Sequence, residues 1–73
     1  MQSASTGNGV PRVNARDVEL LRHLAAGRST SQIAAAMAIS GNTVRTRIHR
    51  VTAKLDVPDR AGAVHAAEAH GLL

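Results

Sequence analysis

The chain has no cysteine, so disulfides and thiolate metal sites are excluded, and it has no phenylalanine, tyrosine or tryptophan. A core without rings must be assembled from Leu, Ile, Val, Met and Ala, which makes it thin and brings helices close together. The missing aromatics also remove the stacking platforms on which single-stranded nucleic acids are usually held. Acids are scarce: five against nine Lys and Arg, for a net charge of +4. None of them falls between Leu20 and Leu55. No apolar run approaches the length of a membrane span. The opening MQSASTGNG has neither the basic start nor the apolar centre of a signal peptide. A cytoplasmic protein is the expectation. At 73 residues there is room for one domain, with a marginal core.

What is present sorts into an arm and four helices. Residues 1–12 are rich in Ser, Gly, Asn and Thr and read as a disordered arm or linker remnant. The domain is expected over residues 13–73, with helices at about 15–26, 30–38, 41–55 and 60–70. Asn14 caps the first helix, and Asp17 places an acid in its first turn, although the strict Ser/Thr to Glu/Gln capping box is absent. Val18, Leu21 and Leu24 or Ala25 share its apolar face, Leu20 widens it, and Gly27 stops it. Ser29 and Gln32 have the spacing of a capping box for the second helix, whose stripe is Ile33, Ala34 and Met37. Ser40 caps the third only a few residues later, which forces a sharp bend.

In that third helix Val44, Ile48, Val51 and Leu55 step by four, three and four and form one apolar stripe. The opposite side carries Asn42, Thr46, His49, Arg50 and Ala53, with Arg45 on one flank and Arg47 and Lys54 on the other. Beyond Pro58, Asp59 caps a fourth helix whose apolar side is weak: Ala61, Val64 and Ala67 or Ala63, with Gly62 weakening it further.

Two short capped helices joined by a tight bend, the later one basic, form a helix-turn-helix pattern. A helix lying in the major groove needs an apolar back, a face of hydrogen-bond donors and flanks that reach phosphate. The Val44–Leu55 stripe supplies the first. Arg45, Thr46, His49 and Arg50 supply the second. Arg47, Lys54 and the helix start at Ser40–Thr43 supply the third. The same pattern also fits a solvated basic face, or contact with RNA, an anionic membrane or a protein. A protein-interaction module with no nucleic-acid role is the principal alternative, motivated by the alanine-rich last helix.

The ordered pieces ARDVELL, AAG, QIAAAMAIS and TVRTRIHRVTAKLDV, followed by Arg60, resemble the DNA-binding domain of the LuxR/FixJ-type (GerE-like) bacterial transcription regulators. The resemblance runs from Val13 to the C-terminus. It implies an all-α, four-helix helix-turn-helix domain without a wing, acting as the output domain of a transcription regulator. It implies base contacts at Arg45, Thr46 and His49, and phosphate contacts at Thr43, Arg47, Arg50 and Lys54. It further implies binding to inverted-repeat double-stranded DNA as a weak homodimer through the last helix, at Ala61, Val64 and Ala67. Departures from the family pattern are Val13-Asn14 in place of Leu-Thr, Asp17 in place of Glu, Ser31 where Lys is frequent and Arg47 where His is frequent. Family members usually carry a regulatory domain ahead of this one, so the chain reads as an excised output domain or a small stand-alone regulator.

Nothing in the sequence points to chemistry. Asp17, Glu19, Asp56, Asp59 and Glu68 pair with no histidine in a pocket-like pattern. His65 and Glu68, three apart, read as a surface pair. His23, His65 and His70 lack metal-ligand spacing. The expectation is no enzyme activity, no metal and no cofactor.

Overall fold

The computed structural model describes residues 12–73. Of the arm expected over residues 1–12, all but Arg12 lies outside the described residues. Four helices follow: α1 (Ala15–Ala25), α2 (Thr30–Met37), α3 (Gly41–Leu55) and α4 (Arg60–Ala69). Among the described residues there is no strand, so the fold is all-α. Three of the helices end one residue before the boundary expected from the sequence, at Ala25, Met37 and Ala69.

Every helix start is closed by a side chain that accepts from an otherwise orphan N–H. In α1 the box is complete. Asn14 Oδ1 accepts from the Asp17 N–H at 2.9 Å, and Asp17 Oδ2 accepts from the Asn14 N–H at 3.2 Å. An Asn–Asp pair therefore does the work expected of Ser/Thr and Glu/Gln. In α2, Ser29 Oγ accepts from the Gln32 N–H at 3.1 Å and Gln32 Oε1 from the Ser29 N–H at 2.8 Å. Ser40 and Asp59 accept from Thr43 and Gly62 at 3.0 and 2.8 Å.

The ends are less orthodox. α1 runs out into Gly27, which has φ +76°. α2 and α3 instead stop on Ala38 and Asp56, both left-handed at φ +57°. A Cβ makes that conformation costly. It is held by the N–H of the following residue: Ile39 donates to the Ala34 carbonyl and Val57 to that of Thr52, each at 3.0 Å. The left-handed step at Ala38 turns the chain at once into Ser40, which produces the tight bend between α2 and α3.

The core consists of Leu20, Leu21, Leu24, Ile33, Val44, Val51, Leu55, Ala63 and Ala67. α3 packs on α1, α2 and α4, and α1 also packs on α4. The apolar stripes are rotated slightly from their expected directions. Val18 and Ile48 are half-buried and Ala25 is exposed. Asp17 and Thr52, both polar, are buried instead, at 7% and 8% exposure. Thr52 satisfies its hydroxyl by donating to the His49 carbonyl at 2.8 Å. Ile48 lines a cavity together with Thr52, Pro58 and Arg60. The chain there passes from α3 to α4 without covering it fully.

One expectation for α4 is corrected. Ala67, expected on a dimer face, is fully buried in the core with Ala63. The two are four residues apart and so share the side pressed on α1 and α3. Gly62 does more than weaken the helix. A Cβ there would lie 3.1 Å from Val57 Cβ and 3.3 Å from Asp59 Oδ1, so a side chain would press on the turn into α4.

Candidate nucleic-acid interface

The buried back of α3 at Val44, Val51 and Leu55 turns its opposite side to solvent. Asn42, Arg45, Thr46, His49, Arg50 and Ala53 are all exposed, while Thr43, Arg47 and Lys54 are half-buried on the flank. This face carries no acid. At about 100° per residue, Thr46, His49 and Asn42 lie near its centre and Arg45 on one flank. Arg47, Arg50 and Lys54 lie together on the side toward α1.

The first turn of α3 is ordered by its own side chains. Ser40 Oγ donates to Thr43 Oγ1 at 2.9 Å, which leaves the Thr43 hydroxyl proton free to be given elsewhere. Arg45 Nη1 donates to Asn42 Oδ1 at 3.0 Å, which steadies a long side chain and leaves most of its fork of donors open. Thr46 Oγ1 donates back to the Asn42 carbonyl at 3.0 Å and keeps its lone pairs toward solvent.

Lys54 is differently placed from the other cations. Its Nζ lies 2.6 Å from Asp17 Oδ2, in an ion pair whose side chains are 29% and 9% exposed. One carboxylate thus closes the N-terminal cap of α1 and ties the last turn of α3 to it. Two of the three ammonium donors remain for another acceptor. Periodicity gave no hint of this pair, because its members are 37 residues apart. Two further side-chain contacts lie around the start of α2. Arg60 Nη2 donates to Thr30 Oγ1 at 3.3 Å, joining α4 to the start of α2. Arg28 Nη1 donates to His23 Nδ1 at 2.8 Å, which fastens the turn after α1.

The sequence reading also missed Arg16. It lines a cavity together with Asn14, Asp17, Arg47, Arg50 and Lys54. Its basic character was visible in the sequence, but its closeness to α3 depends on how α1 packs. Among the described residues no group of three His, Asp or Glu gathers as a metal site requires. No described helix is long and apolar enough to cross a membrane.

This arrangement, an apolar-backed basic helix held across a tight bend from a capped partner, recurs in known proteins. The chain is 41% identical over 63 residues to the "Probable transcriptional regulatory protein NarL" of Mycobacterium tuberculosis, covering 86% of this chain and 29% of that protein. It is 40% identical over 58 residues to the response regulator protein VraR of Staphylococcus aureus, covering 80% of this chain and 28% of that protein. Among solved structures it matches the response regulator ChrA of a heme-sensing two-component system with a TM-score of 0.80 at 36% identity. That match covers 93% of this chain and 35% of ChrA. It matches Escherichia coli SdiA with a TM-score of 0.78 at 31% identity, covering 84% of this chain and 26% of SdiA. The chain thus spans about a third or less of each of these relatives. Residues 14–67 match the family described as bacterial regulatory proteins, luxR family. The chain belongs to that family and is a LuxR-type helix-turn-helix DNA-binding domain of a transcription regulator.

Proposed function

We propose that the domain binds double-stranded DNA sequence-specifically, with α3 in the major groove. The acid-free exposed face of α3, set on a buried aliphatic back, carries this reading. Arg45, Thr46 and His49 are assigned to base edges. Arginine can hold guanine O6 and N7 in two bonds, the Thr46 hydroxyl keeps acceptor lone pairs while its proton goes to the Asn42 carbonyl, and an imidazole can donate or accept. Thr43, Arg47, Arg50 and Lys54 are assigned to phosphates. Thr43 has its hydroxyl proton to give, and the N-terminal N–H groups of α3 beside it favour an anion. Lys54 contributes through the donors left over from Asp17.

Assembly follows from the outer side of α4. With Ala67 committed to the core, the surface available to a second copy is Ala61, which is exposed, and the half-buried Val64. So small an apolar area supports only a weak contact. The domain is monomeric in dilute solution and pairs on an inverted repeat, where protein and site share a two-fold axis. It acts in the cytoplasm, where its DNA is.

Selection of bound duplexes from a randomised pool, followed by sequencing, tests the reading. A motif with two-fold symmetry is expected. A pool that stays unenriched refutes sequence-specific binding, and enrichment of lone half-sites refutes pairing.

A further inference from the structure

The cavity between α1 and α3 is lined by four cations and one carboxylate: Arg16, Arg47, Arg50 and Lys54, with Asp17 and the Asn14 cap. Arg47, Arg50 and Lys54 fall within about 60° of one another on α3, at ~100° per residue. Arg16 faces them from the first turn of α1. The carboxylate does not cancel this charge at the mouth. Asp17 is 7% exposed and already accepts from the Asn14 N–H at 3.2 Å and from Lys54 Nζ at 2.6 Å. Lys54 and Asp17 therefore neutralise each other, which leaves Arg16, Arg47 and Arg50 as the uncompensated charges of the lining. The neighbouring cavity on the far side of Arg16 and Arg47 is a poor rival, because it holds Glu19 and the apolar Met37 and Ile39.

We propose that this cavity is a seat for one DNA phosphodiester, with Arg16 of α1 as a contact outside the recognition helix. The inference rests on the reading of α3 as the groove-binding helix, and extends the interface to α1. A phosphodiester is favoured over a free anion because the seat adjoins the groove-facing side of α3, where a backbone strand would run. Guanidinium groups on two helices can grip its two unbridged oxygens from different sides, which a single flank of α3 cannot do. The seat thereby fixes the angle at which α3 lies in the groove as well as adding affinity.

The test measures duplex binding against salt for the parent, Arg16→Gln, Arg16→Lys and Arg22→Gln. Arg22 is exposed on α1 and does not line the cavity, so its loss controls for net charge. Each phosphate neutralised contributes about 0.9 to the slope of log affinity against log salt, or roughly eightfold in affinity at 0.1 M. Arg16→Gln should lose that slope and that factor on specific and scrambled duplexes alike, with unchanged thermal melting. Arg16→Lys should retain most of the slope, and Arg22→Gln should match the parent. If Arg16→Gln behaves like Arg22→Gln while the parent still selects its site, the seat is refuted and the groove reading stands. If the parent shows no sequence preference but the Arg16→Gln slope falls as expected, sequence-specific reading by α3 fails while the phosphate seat stands as a sequence-independent DNA contact. A parent that binds no duplex refutes both.

Discussion

Replacing Asp17 by asparagine should lower stability while strengthening DNA binding. The amide oxygen of asparagine can still accept from the Asn14 N–H, so the α1 cap is largely kept. What is lost is the charge opposite Lys54. An exposed ion pair contributes about 0–1 kcal/mol, whereas removing one partner of a fully buried pair costs about 3–5 kcal/mol. Asp17 sits near the buried limit and Lys54 nearer the surface, at 9% and 29% exposure. A cost of about 1.5–2.5 kcal/mol follows from those two limits. A domain of this size holds roughly 3–9 kcal/mol in total, and each kcal/mol moves the midpoint by about 4–8 °C. Melting should therefore fall by about 10 °C. Far-UV circular dichroism is the suitable readout, because the chain has no aromatic side chain to report on. A double-mutant cycle with Lys54→Met isolates the pair, and its coupling should be about 1–2 kcal/mol. Below the melting range the same substitution releases all three Lys54 donors and removes a negative charge beside Arg16, Arg47 and Arg50. Duplex affinity at low salt should rise accordingly. A coupling under about 0.3 kcal/mol, or an unchanged midpoint, would show that the ion pair does not hold α1 to α3.

Val51→Ala should cost about 2–3 kcal/mol, since it removes fully buried carbons and leaves a void. Ile48→Ala, where the side chain is half-buried and lines a cavity, should cost about 1–2 kcal/mol despite losing more carbon; urea denaturation of both would reverse this order if Ile48 were the deeper residue. Arg45→Ala should reduce discrimination between specific and scrambled duplexes by about 1–3 kcal/mol, and equal losses on both would contradict a base contact. Ala61→Glu should remove cooperative filling of an inverted repeat at unchanged melting, and persistent cooperativity would exclude the outer side of α4 from the dimer. Ala38→Gly should stabilise the domain by about 0.5 kcal/mol, because relief of a left-handed Cβ outweighs the added chain entropy; a fall in the melting midpoint would show that no strain was present.

Helix starts were legible because their signals are local. Ser29, Ser40 and Asp59 each cap within three residues, and α3 runs over the expected Gly41–Leu55. The left-handed conformation at Ala38 and Asp56 was not legible because no glycine marks it; that turn is imposed by carbonyls that need donors. Periodicity gave the direction of the α3 stripe but not its edges. Whether Ile48 or Thr52 lies deeper depends on where the α3–α4 connection passes. In α4 the alanines offer no contrast between faces, so the burial of Ala67 rather than Ala61 is decided by α1 and α3. The basic face of α3 was readable residue by residue. The Asp17–Lys54 pair and the approach of Arg16 were not, since each joins segments distant in the chain.

The positions that hold the domain together and those that face outward overlap very little. Val44, Val51, Leu55, Ala63 and Ala67 are sealed, while Arg45, Thr46, His49 and Ala61 contribute nothing to the core. Substitution on the outer positions consequently meets little resistance from folding, and surface changes of that kind typically stay within about 0.5 kcal/mol. On the proposed assignment of these positions, mutational drift can rewrite which DNA is read, and which copy is paired with, along a path on which every intermediate still folds. Descendants of one such gene can diverge into separate regulatory circuits without first acquiring a more stable scaffold.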